Sequence, residues 1–519
     1  MQQSIDTRWY GLEGITEFVN LESAGFREYQ FNIARRIFEG KNTLVILPTG
    51  LGKTLIGVLA MGRAIQRGKK ALFLSPTKPL SEQHYATLKE YLSIEEERVL
   101  LLTGALERKR RKEMVEFAKV IVATPQTVAN EMKKGDIDIA EFGIVIFDEC
   151  HKAVGKYAYT YIADECDLKG VQMLGLTASP GSSKEKVKAL ASAMKIKEIE
   201  IRISTDLDVA PYVMPKYMHV MEVDKSPLMI KITGLLRPIA EDSLRKLKNM
   251  GLTQFNNFEV MPKGRLIELG NMITRIQAQN FKFGALYQYV RLLNMIHAYD
   301  LLETEGLYSF SHYIETLKAK EKIGKAVQSI IDDKNVIVAK RLADEGIKQG
   351  DEHPKAFTLI GILKESGAKC AIVFAQYRSS IKMLTDLLNA NGISARAFVG
   401  KKEGITQAQQ QMTISDFRGG KFRVLVSSSI GEEGLDIPSV DLVVFYEPIA
   451  SEIRNIQRRG RTGRLYSGDV YLLVTRGTKD QIYLLVSRQR EKKMLEAVNR
   501  LKGDLKTKSE EAGAQKRLS

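Results

Sequence analysis

The sequence is poor in the residues that staple or ligate. Its cysteines number three, Cys150, Cys166 and Cys370, an odd and scattered set that excludes a disulfide framework and offers no zinc spacing. The six histidines do not cluster either. No apolar run approaches the roughly 20 residues that a membrane-spanning helix needs. The N-terminus, Met1-Gln2-Gln3-Ser4-Ile5-Asp6, has neither a basic n-region nor an apolar h-region, so an intracellular protein with no membrane partner is expected. Acidic residues are also in deficit, at 62 against 78 Lys/Arg, for a net charge of +16. The imbalance is steepest in residues 353–519, with 28 basic against 17 acidic residues, so a polyanion contacted mainly through the last third is the expected partner.

What the sequence does hold fits an ordinary globular protein, 44% hydrophobic and 27% charged. At 519 residues it is too long for one core, and about three domains of roughly 150 residues each are expected.

The chain is organised around Leu47-Pro48-Thr49-Gly50-Leu51-Gly52-Lys53-Thr54. An apolar run from Thr43 precedes it and a helical pattern follows, giving the strand, loop, helix order of a phosphate-binding P-loop. Its glycines let backbone amides and the helix N-terminus face phosphates, Lys53 reaches the β and γ phosphates, and Thr54 can ligate Mg²⁺. The first glycine of the usual eight-residue pattern is Leu47 here. About twenty residues upstream, Phe26-Arg27-Glu28-Tyr29-Gln30 places an amide at Gln30 that suits the N6/N7 edge of adenine.

Downstream, apolar strands at Ala71–Ser75, Val99–Leu102, Val120–Ala123, Ile144–Phe147 and Met173–Leu176 alternate with helical patterns. That βαβ rhythm predicts an α/β fold with a mostly parallel sheet and function at the strand tips. The loops there carry Pro76-Thr77-Lys78-Pro79, Thr103-Gly104 and Thr124-Pro125-Gln126, whose hydroxyls, amides and lysine can hold a sugar-phosphate backbone. The basic run Arg108-Lys109-Arg110-Arg111-Lys112 opens a helix and reads as a solvated face. The strand ending at Phe147 runs into Asp148-Glu149-Cys150-His151, where Asp148 can hold Mg²⁺ and Glu149 can orient or deprotonate the attacking water. The hydroxyls of Thr177 and Ser179 stand where a nucleotide site could connect to a second domain.

From Asp206 to about Gly350 the pattern turns helical, at Leu228–Met250, Leu266–Phe281, Leu286–Thr304 and Ala326–Lys348, with turns at Asn256-Asn257 and Pro262-Lys263-Gly264. Tyr287, Tyr289, Tyr299 and Tyr308 sit at helical spacings and read as core. A second α/β pattern begins near His353, with strands at Cys370–Phe374, Val424–Ser427, Leu442–Phe445 and Val470–Val474 and no P-loop. It holds Gly431 to Asp436 and, on an expected helix, Gln457 to Arg464. Arg461 and Arg464, three apart, share one helix face and can point across a cleft at a γ-phosphate.

The order of Gln30, the Gly-Lys-Thr loop, Asp-Glu-Cys-His and Thr-Ala-Ser resembles a superfamily 2 helicase of the DExH type. Over nearly the whole chain the resemblance is to the helicase half of the archaeal fork-structure endonucleases called Hef, relatives of the Fanconi anaemia M helicase. It is carried by Leu47–Thr54, Val122–Thr127, Phe147–His151, Gly175–Gly181, Leu301–Thr304 before Gly306-Leu307, Gly431–Pro438 and Val440–Pro448. The resemblance implies two RecA-like domains, residues 1–205 and 353–505, around a thumb-like helical insert, 206–352, with a polar basic tail at 506–519. It implies an ATP- and Mg²⁺-dependent motor acting on forked or branched DNA with 3′ to 5′ polarity, associated with the nucleoid. A double-stranded RNA-dependent ATPase or translocase, or an RNA helicase, is the alternative. Glu149, Gln457, Arg461 and Arg464 would serve hydrolysis, and Arg27, Gln30, Pro48–Thr54, Asp148, Gly434 and Asp436 would bind ATP. His151, Thr177 and Ser179 would couple the lobes. Thr77, Lys78, Gly104, Thr124, Gln126, Arg378 and Ser428 would grip nucleic acid, and Lys263, Arg265, Arg275 and Lys282 would lie along a second duplex arm. Cys150 stands where the family has alanine. The family's C-terminal nuclease does not follow, so a nuclease partner or a missing nuclease domain is expected and no nuclease activity is credited to this chain.

Overall fold

The computed structural model describes residues 13–21, 25–48, 50–103, 107–152, 158–178, 181, 184–203, 206–212, 217–399, 406–428, 440–448, 469–489, 492–493, 496–497 and 499–500.

Two parallel sheets carry the fold. The first has the strand order β3-β4-β2-β5-β6-β1-β7, from β1 (Thr43–Ile46), β2 (Lys70–Leu74), β3 (Val99–Leu102), β4 (Val120–Ala123), β5 (Phe142–Phe147), β6 (Gln172–Thr177) and β7 (Glu198–Ile201). Aliphatic runs such as Val120-Ile121-Val122-Ala123 are buried along their full length, as befits strands covered on both faces. The covering helices are α1 (Glu28–Ile37), α2 (Lys53–Gln66), α3 (Lys78–Tyr91), α4 (Arg108–Phe117), α5 (Pro125–Lys133), α6 (Ala158–Leu168) and α7 (Lys184–Ala193). Separate apolar cores fill the two faces, one around Val45, Ile56 and Phe73, the other around Leu44, Phe147 and Ile162. In this order β6 lies between β1 and β5, so the tips of all three strands meet at one edge of the lobe.

The second sheet runs β10-β11-β9-β12-β13-β8, all parallel, with β8 (Tyr217–Val223), β9 (Ala371–Phe374), β10 (Ala395–Phe398), β11 (Val424–Ser427), β12 (Leu442–Phe445) and β13 (Asp469–Thr475). Strand β8 corrects the expected start of the insert. Residues 206–212 and 217–226 are not helical bundle: Val209 packs into the first lobe's core, and β8 pairs with β13 from Tyr217↔Asp469 to Val223↔Thr475. The helical segment begins only at α8 (Pro227–Asn249), capped by Ser226, whose hydroxyl accepts from the Met229 amide at 3.2 Å.

The bundle continues with α9 (Lys263–Thr274), α10 (Gln279–Thr304), α11 (Leu307–Lys318), α12 (Lys325–Ile331) and α13 (Lys334–Lys348) around Leu236, Leu292, Phe310 and Ala339. Two continuous helices expected from periodicity are broken. The Leu266–Phe281 pattern divides at residues 275–278, and Ala326–Lys348 divides at Asp332-Asp333, where the Asp333 carboxylate caps α13 through the Asn335 amide at 2.9 Å. Nor is Pro262-Lys263-Gly264 a turn: Pro262 is the N-cap and Lys263 opens α9. Tyr299 is buried as expected, with its hydroxyl on Glu259.

The insert joins the second lobe through a polar seam ahead of α14 (Pro354–Glu365) and beside α15 (Arg378–Ala390). The Glu352 carboxylate accepts from the amides of Leu307 (2.6 Å), Tyr308 (3.0 Å) and His353 (2.8 Å), capping α11 from outside. Gly306 has φ of +110°, and a Cβ there would run into that carboxylate, so both conformation and space demand glycine. Glu305 accepts from the Ser380 hydroxyl at 2.6 Å, and Lys355, fully buried, reaches Asp480 at 3.0 Å. Burial, aided by the Lys355 charge, keeps the His353 ring neutral.

Candidate nucleotide and nucleic-acid site

The P-loop lies between β1 and α2. Leu47, where a glycine was expected, is fully buried and prolongs the strand, its amide donating to the Thr177 carbonyl at 3.1 Å. The turn itself is made by Gly50 (φ +84°) and Gly52 (φ +72°). A Cβ on Gly52 would strike the Gln30 amide, whereas one on Gly50 would meet nothing within 4 Å among the described residues. The loop is therefore closed on its inner side and open on its outer side, where phosphates would sit. Lys53 Nζ donates to the Leu47 carbonyl at 3.2 Å, folding its ammonium back over the loop, and Thr54 follows in the first turn of α2. Pro48 is partly exposed beside them.

Gln30 is where the sequence put it, against the P-loop, but its amide group is engaged. Oε1 accepts from the Arg27 amide at 2.9 Å, and Nε2 donates to the Leu51 carbonyl at 3.1 Å. The Tyr29 hydroxyl donates to that same carbonyl at 2.5 Å. Arg27 caps α1 and sets its guanidinium 4.9 Å from the ring centroid of Tyr212, in the segment leaving the first lobe. The motif residues thus brace the loop, while the Arg27–Tyr212 pair offers flat faces beside it.

At the tip of β5, Asp148 is buried and hydrogen-bonded through Oδ2 to His84 Nε2 at 2.9 Å. Burial alone would raise its carboxyl, but His84 and the Lys53 charge outweigh it and hold the group below the usual carboxylate range. Its backbone is pinned by the Tyr159 hydroxyl, 2.7 Å from the carbonyl. Glu149 takes a left-handed φ of +47°, uncommon for a residue with a side chain, and its carboxylate comes 3.2 Å from His151 Nδ1. The same nitrogen lies 3.1 Å from the Thr177 hydroxyl at the tip of β6. Cys150 is fully buried, its sulfur against Gly175, and burial raises its thiol well above the ordinary range, so it is an inert core residue. Thr54 and Asp148 supply hard oxygen donors of the kind Mg²⁺ takes alongside phosphate oxygens, and the open face of the loop leaves room for them. The residues fit both ATP and Mg²⁺. Among the described residues no group of three or more His, Cys, Asp or Glu is placed to hold a metal by itself.

Around this centre, Thr77 is the N-cap of α3, its hydroxyl buried with no partner among the described residues, and Lys78 lies 3.7 Å from Glu82. Thr124 caps α5, with its hydroxyl 2.9 Å from that of Thr127, and Gln126 is exposed. In the second lobe Arg378 is exposed at the start of α15, and Ser428 follows β11. In the insert Lys263 and Arg275 are exposed, while Arg265 pairs with Glu268 at 2.7 Å and Lys282 donates to the Thr274 carbonyl at 2.7 Å. The basic run at Arg108 is less free than a solvated face: Arg108 pairs with Asp136 at 2.7 Å and Arg111, largely buried, with Glu131 at 3.2 Å. Thr49, Gly104, Ser179, Gly434, Asp436, Gln457, Arg461 and Arg464 lie outside the described residues. Sequence reasoning missed His84 and Tyr212, whose contacts with Asp148 and Arg27 join residues far apart in the chain. No local spacing marks either one.

Comparison with known proteins agrees with this layout. Residues 27–187 match the DEAD/DEAH box helicase model, 354–466 the helicase conserved C-terminal domain, and 229–345 a helical-bundle model described for ATP-dependent RNA helicases. A Methanocaldococcus jannaschii protein named as an ATP-dependent RNA helicase is 36% identical over 90% of this chain and 60% of its own length. The ATP-dependent DNA helicases mph1 of Neurospora crassa (32% identical) and fml1 of Schizosaccharomyces pombe (30%) each align with 88% of this chain, but it spans only 41% and 58% of their lengths. The crystal structure of the Pyrococcus furiosus Hef helicase domain superposes with a TM-score of 0.71 at 37% identity, covering 91% of this chain and all of that one. With two parallel-sheet lobes, a helical bundle between them and a P-loop facing Asp148 and Glu149, the chain belongs to the superfamily 2 helicases, in the family of the Hef helicase domain.

Proposed function

We propose that this chain is an ATP-dependent DNA helicase or translocase that acts on forked or branched DNA. The observation that carries the reading is the meeting of Lys53, Thr54, Asp148 and Glu149 at neighbouring strand tips, in a chain whose helical bundle is shared with the Hef helicase domain. Lys53 would neutralise the β and γ phosphates. Thr54 and Asp148 would hold Mg²⁺, which supplies charge stabilisation when bound, and Glu149, set by His151, would take the proton of the attacking water. Arg461 and Arg464, with Gln457, would complete the site from the second lobe, joined there by Gly434 and Asp436. Thr77, Lys78, Gly104, Thr124, Gln126, Arg378 and Ser428 would grip one backbone, with 3′ to 5′ movement.

A second reading, translocation on double-stranded RNA, is favoured by the description of the bundle model and the name of the Methanocaldococcus jannaschii relative. The two are separated by ATPase stimulation with forked DNA, linear DNA and double-stranded RNA side by side. Forked DNA is expected to stimulate most. Stimulation by RNA alone would overturn the DNA reading.

A further inference from the structure

Helix α3 has two distinct regions. At its start stand Thr77 and Lys78, on the loop after β2 proposed to hold a nucleic-acid backbone. The Thr77 hydroxyl is buried with no partner among the described residues, as is that of Ser75 just before it, so the turn holds two polar atoms whose hydrogen bonding is left unsatisfied.

About two turns further on, His84 points inward. It is 7% exposed, its ring centroid lies 4.5 Å from that of Phe73, and its Nε2 sits 2.9 Å from Asp148 Oδ2. The Asp148 main chain is held independently, by its amide on the Leu74 carbonyl (2.9 Å) and by Tyr159 on its own carbonyl (2.7 Å). What remains is rotation of the carboxylate, for which His84 supplies the side-chain hydrogen bond, alongside the Glu149 amide and the Lys53 charge. Because a hydrogen bond weakens steeply beyond about 3.2 Å, a shift of α3 by half an ångström would alter how the carboxylate is held.

We infer that His84 is a positioning residue that links nucleic-acid contact at the Thr77–Lys78 turn to the metal–nucleotide site through Asp148. The inference rests on the DNA-motor reading given above. Nucleic acid drawn onto the first turn of α3 moves the helix that orients Asp148, and binding at the nucleotide site pulls on the same helix from its other side. Such coupling is reciprocal, so it can be measured as binding without any turnover.

The test is the affinity of a fluorescently labelled forked DNA, by anisotropy, with and without a saturating non-hydrolysable ATP analogue and Mg²⁺. In the wild-type chain the two dissociation constants should differ by a factor of about 5 or more. His84→Phe keeps a ring against Phe73 but removes the donor, and the factor should fall to near one while the melting temperature stays within a few degrees. His84→Gln restores an N–H near the position of Nε2 and should recover most of the factor. A full factor in His84→Phe overturns the link and leaves the DNA-motor reading standing. A factor lost in both variants also overturns it, because the hydrogen bond would then not be what transmits. A wild-type chain that does not bind DNA overturns the DNA-motor reading itself, and one that binds DNA with a factor of one overturns the link alone.

Discussion

His151 Nδ1 stands 3.2 Å from the Glu149 carboxylate, and Glu149 holds a backbone conformation that its own side chain disfavours. The strained turn puts the carboxylate at the tip of β5, and His151 tethers it to Thr177 on β6. A carboxylate held this way needs little reorganisation to accept a proton from water.

Lys53→Ala and Glu149→Gln should each lower kcat by roughly 10² or more, since one removes charge from the phosphates and the other removes the base. Their binding should differ. Glu149→Gln keeps the P-loop and Asp148, so a fluorescent ATP analogue should still bind with near wild-type affinity. Near-normal turnover in that variant would refute the role given to Glu149.

If Arg461 and Arg464 act from the second lobe as proposed, hydrolysis should require both lobes, because Lys53 stands in the first. Basal ATPase is expected to be low and to rise when nucleic acid bridges them. Arg461→Ala and Arg464→Ala should each hydrolyse ATP at least tenfold more slowly in saturating DNA. Wild-type rates would make these arginines a binding surface only.

Replacing residues 227–350 with a short flexible linker should spare ATPase stimulated by simple duplex and abolish the preference for forks, if Lys263, Arg265, Arg275 and Lys282 lie on a second arm. In the intact chain that preference should weaken steeply as salt rises. The contacts of Arg265 with Glu268 and of Lys282 with Thr274 predict that Lys263→Ala and Arg275→Ala have the larger effects. Competition between forked and linear DNA measures both.

Burial pushes the Glu352 carboxyl up to about 7, against the pull of three backbone amides, with Glu305 adding like charge nearby. The folded value lies above the unfolded one, so the contribution is full below pH 4 and is lost as pH rises through 7. Its size is on the order of 3 kcal/mol. Urea unfolding midpoints at pH 5 and pH 8 should show the second lobe weaker at the higher pH. Glu352→Gln should flatten that difference; an unchanged slope would mean the seam does not titrate.

Much of this architecture could be read from the chain, for identifiable reasons. Strands such as β1 and β4 are buried along their full length and read as short apolar runs, and the Gly-Lys-Thr piece follows β1 as the Asp-Glu piece follows β5. Strand β8 escaped notice because Tyr217-Met218-His219-Val220 mixes polar and apolar residues, as suits an edge strand with Met218 and Met221 exposed. The breaks in the insert were hidden by apolar periodicity that continues across residues 275–278. His84, Tyr212 and the Lys355–Asp480 pair draw their meaning from partners up to 185 residues away, and a linear pattern holds no trace of such pairs.

Strand β8 also bears on how the molecule is made. Its partner β13 is translated some 250 residues later, so during synthesis the first lobe and the helical bundle can fold while β8 waits without a neighbour. The lobe's remaining strands face the converse hazard. A fragment beginning at residue 353 would leave the β13 edge, with Tyr471 and Leu473, open to pairing with another chain. Recombinant pieces of the second lobe should therefore begin before Tyr217 or be expected to aggregate, and late release from the ribosome should be the step most dependent on chaperones.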